Sequence, residues 1–186
     1  GSLLPDTYFF NWGDSKNLLI EKMKNEMNYA IKKLWETRKL NSSINTPFKA
    51  IILASIIEKE TGLEAERAHI SSVFHNRLNI GMRLQSDPTV IYGMYINGQS
   101  IEKSLTRKNI KTFSEYNTYL IKGLPKGPIC NPGRKSIVAA LNPIKSNDLY
   151  FVANGKGGHE FSPSLKEHNK NVNKWKKIKN KLNLKN

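Results

Sequence analysis

The sequence contains very little cysteine and no long apolar run. Its one cysteine, Cys130, excludes an intrachain disulfide and a cysteine-based zinc cluster. Its apolar stretches fall short of the roughly 18 to 20 residues that a membrane-spanning helix requires. With 186 residues, of which 38% are hydrophobic, the chain can bury a core, and we expect one folded domain.

Metal-ligating patterns are also missing. The four histidines are scattered and none belongs to an H-E-x-x-H zinc motif: His69, His75, His159 and His168. No group of acidic residues joins them at ligand spacing. We therefore predict no metal and no other cofactor.

Arginine is scarce in a strongly basic chain. The net charge of +15 comes from 24 lysines and six arginines against 15 acidic residues. A basic chain attracts polyanions, nucleic acids included. Nucleic-acid sites, however, favour arginine for bidentate contacts and interleave aromatic residues, whereas these lysines are spread along the whole chain. We predict solvated lysines and no nucleic-acid partner, and keep a basic nucleic-acid-binding domain as an alternative.

The spacing of apolar residues predicts a mainly helical fold with one hairpin. Helices are expected from Asp14 or Ser15 to about Lys39, at 48–60 and 64–79, briefly at 136–141, and from about Pro163. Strands are expected at 149–153 and 160–162. Residues 3–12 are β-prone, and short strands or turns are expected around Asp87-Pro88 and Asn97-Gly98. Gly1 and Ser2 are interpreted as a cloning scar.

The second helix carries the most informative feature. Seven of its residues at 50–57 are apolar and cover nearly the full circumference, which predicts burial on most sides, and the helix ends in Glu58 and Glu60. A carboxyl held against apolar neighbours has a raised pKa and can act as a general acid near neutral pH. The two side chains point about 200° apart, so only one can face a given cleft. A solvated helix end is the ordinary alternative, and the pattern does not choose between the two glutamates.

The segment ASIIEKETG at 54–62 resembles the glutamate motif of the MltG (YceG-like) endolytic murein transglycosylases. The resemblance continues, in family order, through VFHNRLNIGMRLQSDPTVIYG (73–93), YNTYLIKGLPKGPICNPG (116–133) and YFVANGKGGHEFSPSLKEHN (150–169). Each short motif is weak alone, but together they cover most of the chain in the correct order.

The resemblance implies an α+β, mainly helical, lysozyme-like catalytic core spanning residues 3–186 as a single domain. It implies cleavage of peptidoglycan between MurNAc and GlcNAc, inside the strand, leaving a 1,6-anhydroMurNAc end. Glu60 maps onto the family's catalytic glutamate, because lytic transglycosylases place a hydroxyl-bearing residue after their acid. Thr61 fits this position, whereas Glu58 is followed by Lys59. Full-length members carry an N-terminal membrane anchor and a LysM-like region that this sequence lacks.

Several other residues become candidate substrate contacts through the same blocks. They are Thr61, Gln85, Ser86, Asp87, Tyr116, Asn117 and Tyr119, with Asn117 the second choice for a role beside Glu60. A simple turn at Asp87-Pro88 and buried core tyrosines are the structural alternatives. Arg77 and Arg83 are interpreted as contacts for stem-peptide carboxylates or as surface salt bridges.

The implied partners are peptidoglycan glycan strands, together with cell-wall synthases or division proteins. The implied location is the bacterial inner membrane, with the domain on the periplasmic side and membrane contact only through the missing anchor. A glycan-binding module without catalysis is an alternative. A pyridoxal-phosphate lyase of aminodeoxychorismate is disfavoured, because the sequence offers no phosphate-binding cradle.

Overall fold

The computed structural model describes residues 1–40, 43–99 and 105–183, and these ranges form a mainly helical chain with one small sheet. The elements in chain order are α1 (Lys16–Glu36), α2 (Pro47–Glu60), α3 (Glu64–Asn79), α4 (Asp87–Ile96), α5 (Arg107–Lys111), α6 (Arg134–Leu141), β1 (Tyr150–Ala153), β2 (His159–Ser162) and α7 (Leu165–Asn183). The predicted α+β class is confirmed. The described part of the chain contains no helix with the length and hydropathy of a membrane span.

Helix α2 lies at the centre of the core and packs against α1, α3, α4 and α6. Its start is fixed by Thr46, whose side chain accepts a hydrogen bond from the Lys49 N–H, and by Pro47 in the first turn. Seven consecutive or near-consecutive positions are buried: Ala50, Ile52, Leu53, Ala54, Ser55, Ile56 and Ile57. Each large apolar side chain buried there stabilises the fold by about 1.5–3 kcal/mol. This all-round burial, which the sequence predicts, fixes the last turn of α2 in place.

The segment that begins at Asp87 and Pro88 forms helix α4, so the prediction of short strands or turns there is wrong. Pro88 lies in the first turn, where a helix does not need the N–H that proline lacks. The helix ends before Gly98, whose φ of 72° is left-handed. A Cβ on Gly93 would lie 2.6 Å from Ser114 Oγ, so α4 packs tightly on the loop that follows α5. The spacing of apolar residues along the chain does not predict this contact between distant segments.

Residues 3–12, β-prone by composition, also form no strand. The buried Leu4 donates its N–H to the carbonyl of Met23 at 3.1 Å, which ties this segment to α1. Three aromatic side chains of the following stretch are exposed: Phe9, Phe10 and Trp12. The start of the segment therefore bonds to helix α1 and has no strand partner among the described residues.

Strands β1 and β2 pair antiparallel over all four positions, as the sequence predicts within one residue. Two pairs of a histidine and a carboxylate connect this hairpin region to α3, His159 with Glu66 and His69 with Asp148, each at 2.7 Å. Helix α7 packs against both strands. The hairpin and the start of α7 are thereby held beside the end of α2.

Candidate active site

A cavity of about 390 Å³ opens at the C-terminal end of α2, and the Glu60 side chain lies in its wall. Residues from five elements and two connecting loops line this space, which we call the Glu60 cavity: Glu60, Arg77, Gln85, Asp87, Tyr119, Tyr150, Phe151, Leu165 and His168. The cavity surrounds one carboxyl group with aromatic, amide and charged side chains.

Ser86 is the direct partner of the Glu60 carboxyl. Its hydroxyl donates a hydrogen bond to Glu60 Oε1 at 2.5 Å. The Ser86 N–H in turn donates to Thr118 Oγ1 at 3.0 Å, and the Thr89 hydroxyl donates to the Ser86 carbonyl at 2.6 Å. All three hydroxyl residues are buried. A buried and fully bonded serine therefore fixes the orientation of the glutamate.

Burial raises the pKa of Glu60 from its ordinary value of 4.5 to about 7. The negative charge of Asp87 also raises it, whereas the Ser86 hydrogen bond and the charges of His159 and Arg77 lower it. At neutral pH the protonated and ionised forms are therefore both well populated. A carboxyl of this kind can donate a proton in one step and accept one in the next.

Glu58 occupies different surroundings on the same helical turn. Its Oε2 accepts a hydrogen bond from the Gly133 N–H at 3.0 Å, and its Oε1 lies 3.8 Å from Arg67 Nη2. These contacts attach the end of α2 to the start of α6 and to α3. Glu58 is thus a structural carboxylate, whereas Glu60, two residues further along the same helix, lies in the cavity.

Asp87 and Tyr119 form a second polar pair in the Glu60 cavity. The Tyr119 hydroxyl donates a hydrogen bond to Asp87 Oδ1 at 2.6 Å. Burial, followed by the bond to Asp87, raises the pKa of Tyr119, so the phenol keeps its proton. Asp87 is exposed at the first turn of α4 and offers a carboxylate to a ligand in the cavity.

Gln85 adds an amide to the same wall in a constrained backbone conformation. Its φ of 51° lies in the left-handed region, which non-glycine residues seldom adopt. Its N–H donates to the carbonyl of Thr118 at 3.1 Å, which holds the loop in this shape. Such strain tends to be retained where it places a functional side chain.

The opposite wall is largely aromatic and comes from β1 and α7. The His168 ring stacks on Tyr150, with ring centroids 5.1 Å apart. In the described part of the chain, His168 Nδ1 is buried without a hydrogen-bond partner, and burial lowers the pKa of this imidazole. The sequence singled out none of Tyr150, Phe151, Leu165 and His168 as site residues. All four lie in the block 150–169, whose family resemblance was the one sequence feature that could have indicated them.

Arg77 lies on α3 and is buried, so its interpretation as a surface salt bridge is wrong. Its Nε donates to the Leu149 carbonyl at 2.6 Å and its Nη1 to the Leu84 carbonyl at 2.7 Å. The guanidinium carbon lies 5.2 Å from the centre of the Tyr150 ring. Arg77 therefore connects both walls of the Glu60 cavity.

Comparison with protein families matches residues 1–174 to the YceG-like family. The chain belongs to the YceG-like family. The match starts at residue 1 and so does not separate Gly1 and Ser2 from the rest, and their interpretation as a cloning scar stays a prediction.

Curated relatives and a solved structure agree with this membership. The chain is 40% identical over 182 residues to the endolytic murein transglycosylase of Bacillus subtilis, covering 97% of the chain and 49% of that protein. It is 33% identical over 177 residues to the endolytic murein transglycosylase of Streptococcus pneumoniae, covering 92% of the chain and 31% of that protein. A crystal structure of a yceG-like protein from Listeria monocytogenes superposes with a TM-score of 0.77 at 41% identity, covering 91% of this chain and 54% of that one. The chain thus spans about half the length, or less, of the relatives it matches.

In this YceG-like chain, three of the predicted substrate contacts neither line the Glu60 cavity nor hydrogen-bond to Glu60: Thr61, Tyr116 and Asn117. Thr61 caps α2, and its hydroxyl accepts a hydrogen bond from the Leu63 N–H at 3.0 Å. Tyr116 packs against Tyr92, with ring centroids 4.9 Å apart. The geometry assigns both to the framework.

Asn117, which the sequence predicts beside Glu60, does not line the Glu60 cavity. Its side chain is buried and donates to the carbonyls of Ile110 and Thr112 at 2.9 and 2.8 Å. The amide donors are therefore occupied in shaping the loop before Tyr119. Ser86 holds the position that Asn117 was expected to hold.

Proposed function

We propose that this chain cleaves peptidoglycan glycan strands as a lytic transglycosylase, with Glu60 as its single acid and base. The observation that carries the proposal is the Glu60 carboxyl, partly buried in the wall of an open cavity, with a pKa of about 7 and one serine partner. The relatives named endolytic murein transglycosylases support the substrate and the reaction class.

The proposed reaction begins with protonated Glu60. It gives its proton to the glycosidic oxygen between MurNAc and GlcNAc as that bond breaks, and positive charge develops on the sugar ring. The resulting carboxylate then accepts the proton of the MurNAc 6-hydroxyl, whose oxygen attacks C1. A 1,6-anhydro ring forms, the GlcNAc hydroxyl leaves, and Glu60 recovers its proton. No water is consumed, so a second carboxylate to activate water is not required.

The surrounding residues suit the two steps. The Ser86 hydrogen bond stabilises the ionised form of Glu60 between proton donation and proton return. Gln85, Asp87 and Tyr119 present an amide, a carboxylate and a phenol to sugar hydroxyl and acetamido groups. The Tyr150 ring adds an aromatic side chain to the opposite wall.

The location and partners follow from this substrate. We propose that the chain acts on the extracytoplasmic side of the bacterial inner membrane, where peptidoglycan is assembled. Cell-wall synthases and division proteins are the proposed protein partners. The membrane anchor and LysM-like region of the family are proposed to supply attachment.

The test is a digestion of intact glycan strands, with the products weighed by mass spectrometry. Fragments lighter by one water at the MurNAc end are expected, and hydrated reducing ends would make the chain a hydrolase instead. The Glu60→Gln variant should abolish these products, whereas the matched Glu58→Gln variant should keep them. Intact strands with the wild-type chain, bound but uncut, would indicate the non-catalytic glycan-binding module.

A further inference from the structure

A second cavity lies on the other side of the Glu60 and Asp87 positions. Its volume is also about 390 Å³, and we call it the α4 groove after the helix that forms most of its wall. Its lining residues are Lys59, Pro88, Ile91, Tyr92, Tyr95 and Ile129. The reaction proposed above uses none of them.

The α4 groove lies next to the Glu60 cavity, because neighbouring residues of two helices line the two spaces. Lys59 lines the groove and its neighbour Glu60 lines the cavity, while Pro88 and Asp87 divide in the same way. The last turn of α2 and the first turn of α4 therefore form a rim shared by the two spaces. The groove is therefore within reach of a polymer that extends from Glu60 across this rim.

The surface of the groove suits sugar rings. Tyr95 is 75% exposed and Ile91 is 45% exposed, so both offer apolar area to a ligand. Tyr92 is held in place by its edge contact with Tyr116, and Ile129 forms a buried floor. The face of an aromatic ring carries partial negative charge, so the C–H groups of a pyranose ring can pack against it.

We propose that the α4 groove is a binding subsite for the glycan strand beyond the bond that Glu60 cleaves, with Tyr95 as its main sugar contact. The inference rests on the proposed function, since a polymer cut internally continues on both sides of the cleaved bond. The groove then determines how well long strands are held, while the Glu60 cavity performs the reaction.

Binding is measured on the Glu60→Gln chain, so that the strands stay intact, with peptide-free glycan strands as the probe. Adding Tyr95→Ala should weaken this binding about 3- to 10-fold, because one stacking contact is lost. Adding Ile91→Ala as well should weaken it further. Tyr29→Ala is the matched control, since Tyr29 is an exposed tyrosine on α1, outside both spaces, and binding should be unchanged.

Cleavage by the otherwise wild-type chain gives the second measurement. Tyr95→Ala should raise KM for long strands by a similar factor and leave kcat nearly constant, because the reacting groups are untouched. The shortest oligosaccharide that is cleaved should lose little, since it does not reach the groove. Thermal unfolding should be near that of the wild type, because the Tyr95 side chain is exposed.

Equal binding of long peptide-free strands by the Tyr95→Ala and control variants would overturn the inference. An effect seen only with peptide-bearing strands would overturn the sugar contact as well. A wild-type chain that binds strands through Tyr95 but never cuts them would contradict the proposed function alone.

Discussion

Glu58 and Glu60 stand two residues apart on one helix and have opposite surroundings. Glu58 points to the Gly133 N–H and Arg67, where a carboxylate is bonded and serves the packing of α6 against α2. Glu60 points into a cavity, where burial raises its pKa to about 7 and Ser86 is its direct partner. The comparison shows that the chemistry of a carboxyl depends on the side of the helix from which it projects.

The largest effect should come from removing each carboxyl in turn. Glu60→Gln should lower kcat on glycan strands by about 10³-fold or more, because general acid and base catalysis are both lost. Glu58→Gln should stay within about threefold of the wild type, since that side chain does not line the cavity. Release of anhydro-ended products over time is the measurement. A comparable loss in both variants would break the contrast.

Stability should depend on pH through Glu60. The folded-state pKa of about 7 exceeds the ordinary value of 4.5, so the folded state binds this proton more tightly than the unfolded state. Stability from this group is complete below about pH 4.5 and is lost as pH rises through about 7. The loss is about 3 kcal/mol at most.

Urea unfolding at a series of pH values measures this dependence. Glu60→Gln should remove it, whereas Glu58→Gln should keep it. An identical fall in stability above pH 5 for the wild type and the Glu60→Gln variant would assign the effect to other groups.

The Ser86 hydrogen bond should have the next largest effect. Ser86→Ala removes a donor to the ionised carboxyl, so the pKa of Glu60 should rise further and the carboxylate needed in the second step should become less stable. We expect kcat to fall about 10-fold, with the optimum shifted to higher pH. Ser86→Thr, which retains a hydroxyl, is the matched variant and should recover part of the activity. An unshifted pH profile for Ser86→Ala would remove the serine from the acid–base site.

Asp87 should have the smallest effect on the acid itself. Asp87→Asn removes a negative charge that raises the pKa of Glu60, so the limb of kcat/KM that falls with rising pH should move to lower pH. Because Asp87 is exposed and solvent screens its charge, we expect a change of about two- to fivefold in activity at pH 7. Tyr119→Phe leaves the charge in place and should affect KM more than the pH profile. A limb that moves to higher pH in Asp87→Asn would contradict the assigned charge effect.

Much of the fold was predictable because its elements carry strong local signals. The continuous apolar residues of α2, the caps at Thr46 and Pro47, and the turn between β1 and β2 are short-range features. Helix α4 was not predictable in this way. Its start at Asp87-Pro88 also suits a turn, and the packing of Gly93 on Ser114 joins segments about twenty residues apart.

Some residues of the candidate site were likewise predictable from the sequence, and others were not. Four predicted residues line the Glu60 cavity, and Ser86 bonds to its carboxyl. The placement of Asn117 could not be predicted, because a loop amide can bind a ligand or donate to nearby carbonyls, and only the folded loop distinguishes the two. The aromatic wall was missed because strand periodicity gives Tyr150 and Phe151 no special role.

The sequence by itself determined that a buried helix ends in two carboxyls facing different ways, because burial pattern and helical rotation are local properties. The sequence also indicated the family, through motifs that occur in family order. Only the tertiary structure determined which groups surround each carboxyl. Ser86, Asp87 and the β1–α7 wall come from distant parts of the chain. Burial in the folded chain and the charge of Asp87 raise the pKa of Glu60, whereas the Ser86 hydrogen bond lowers it.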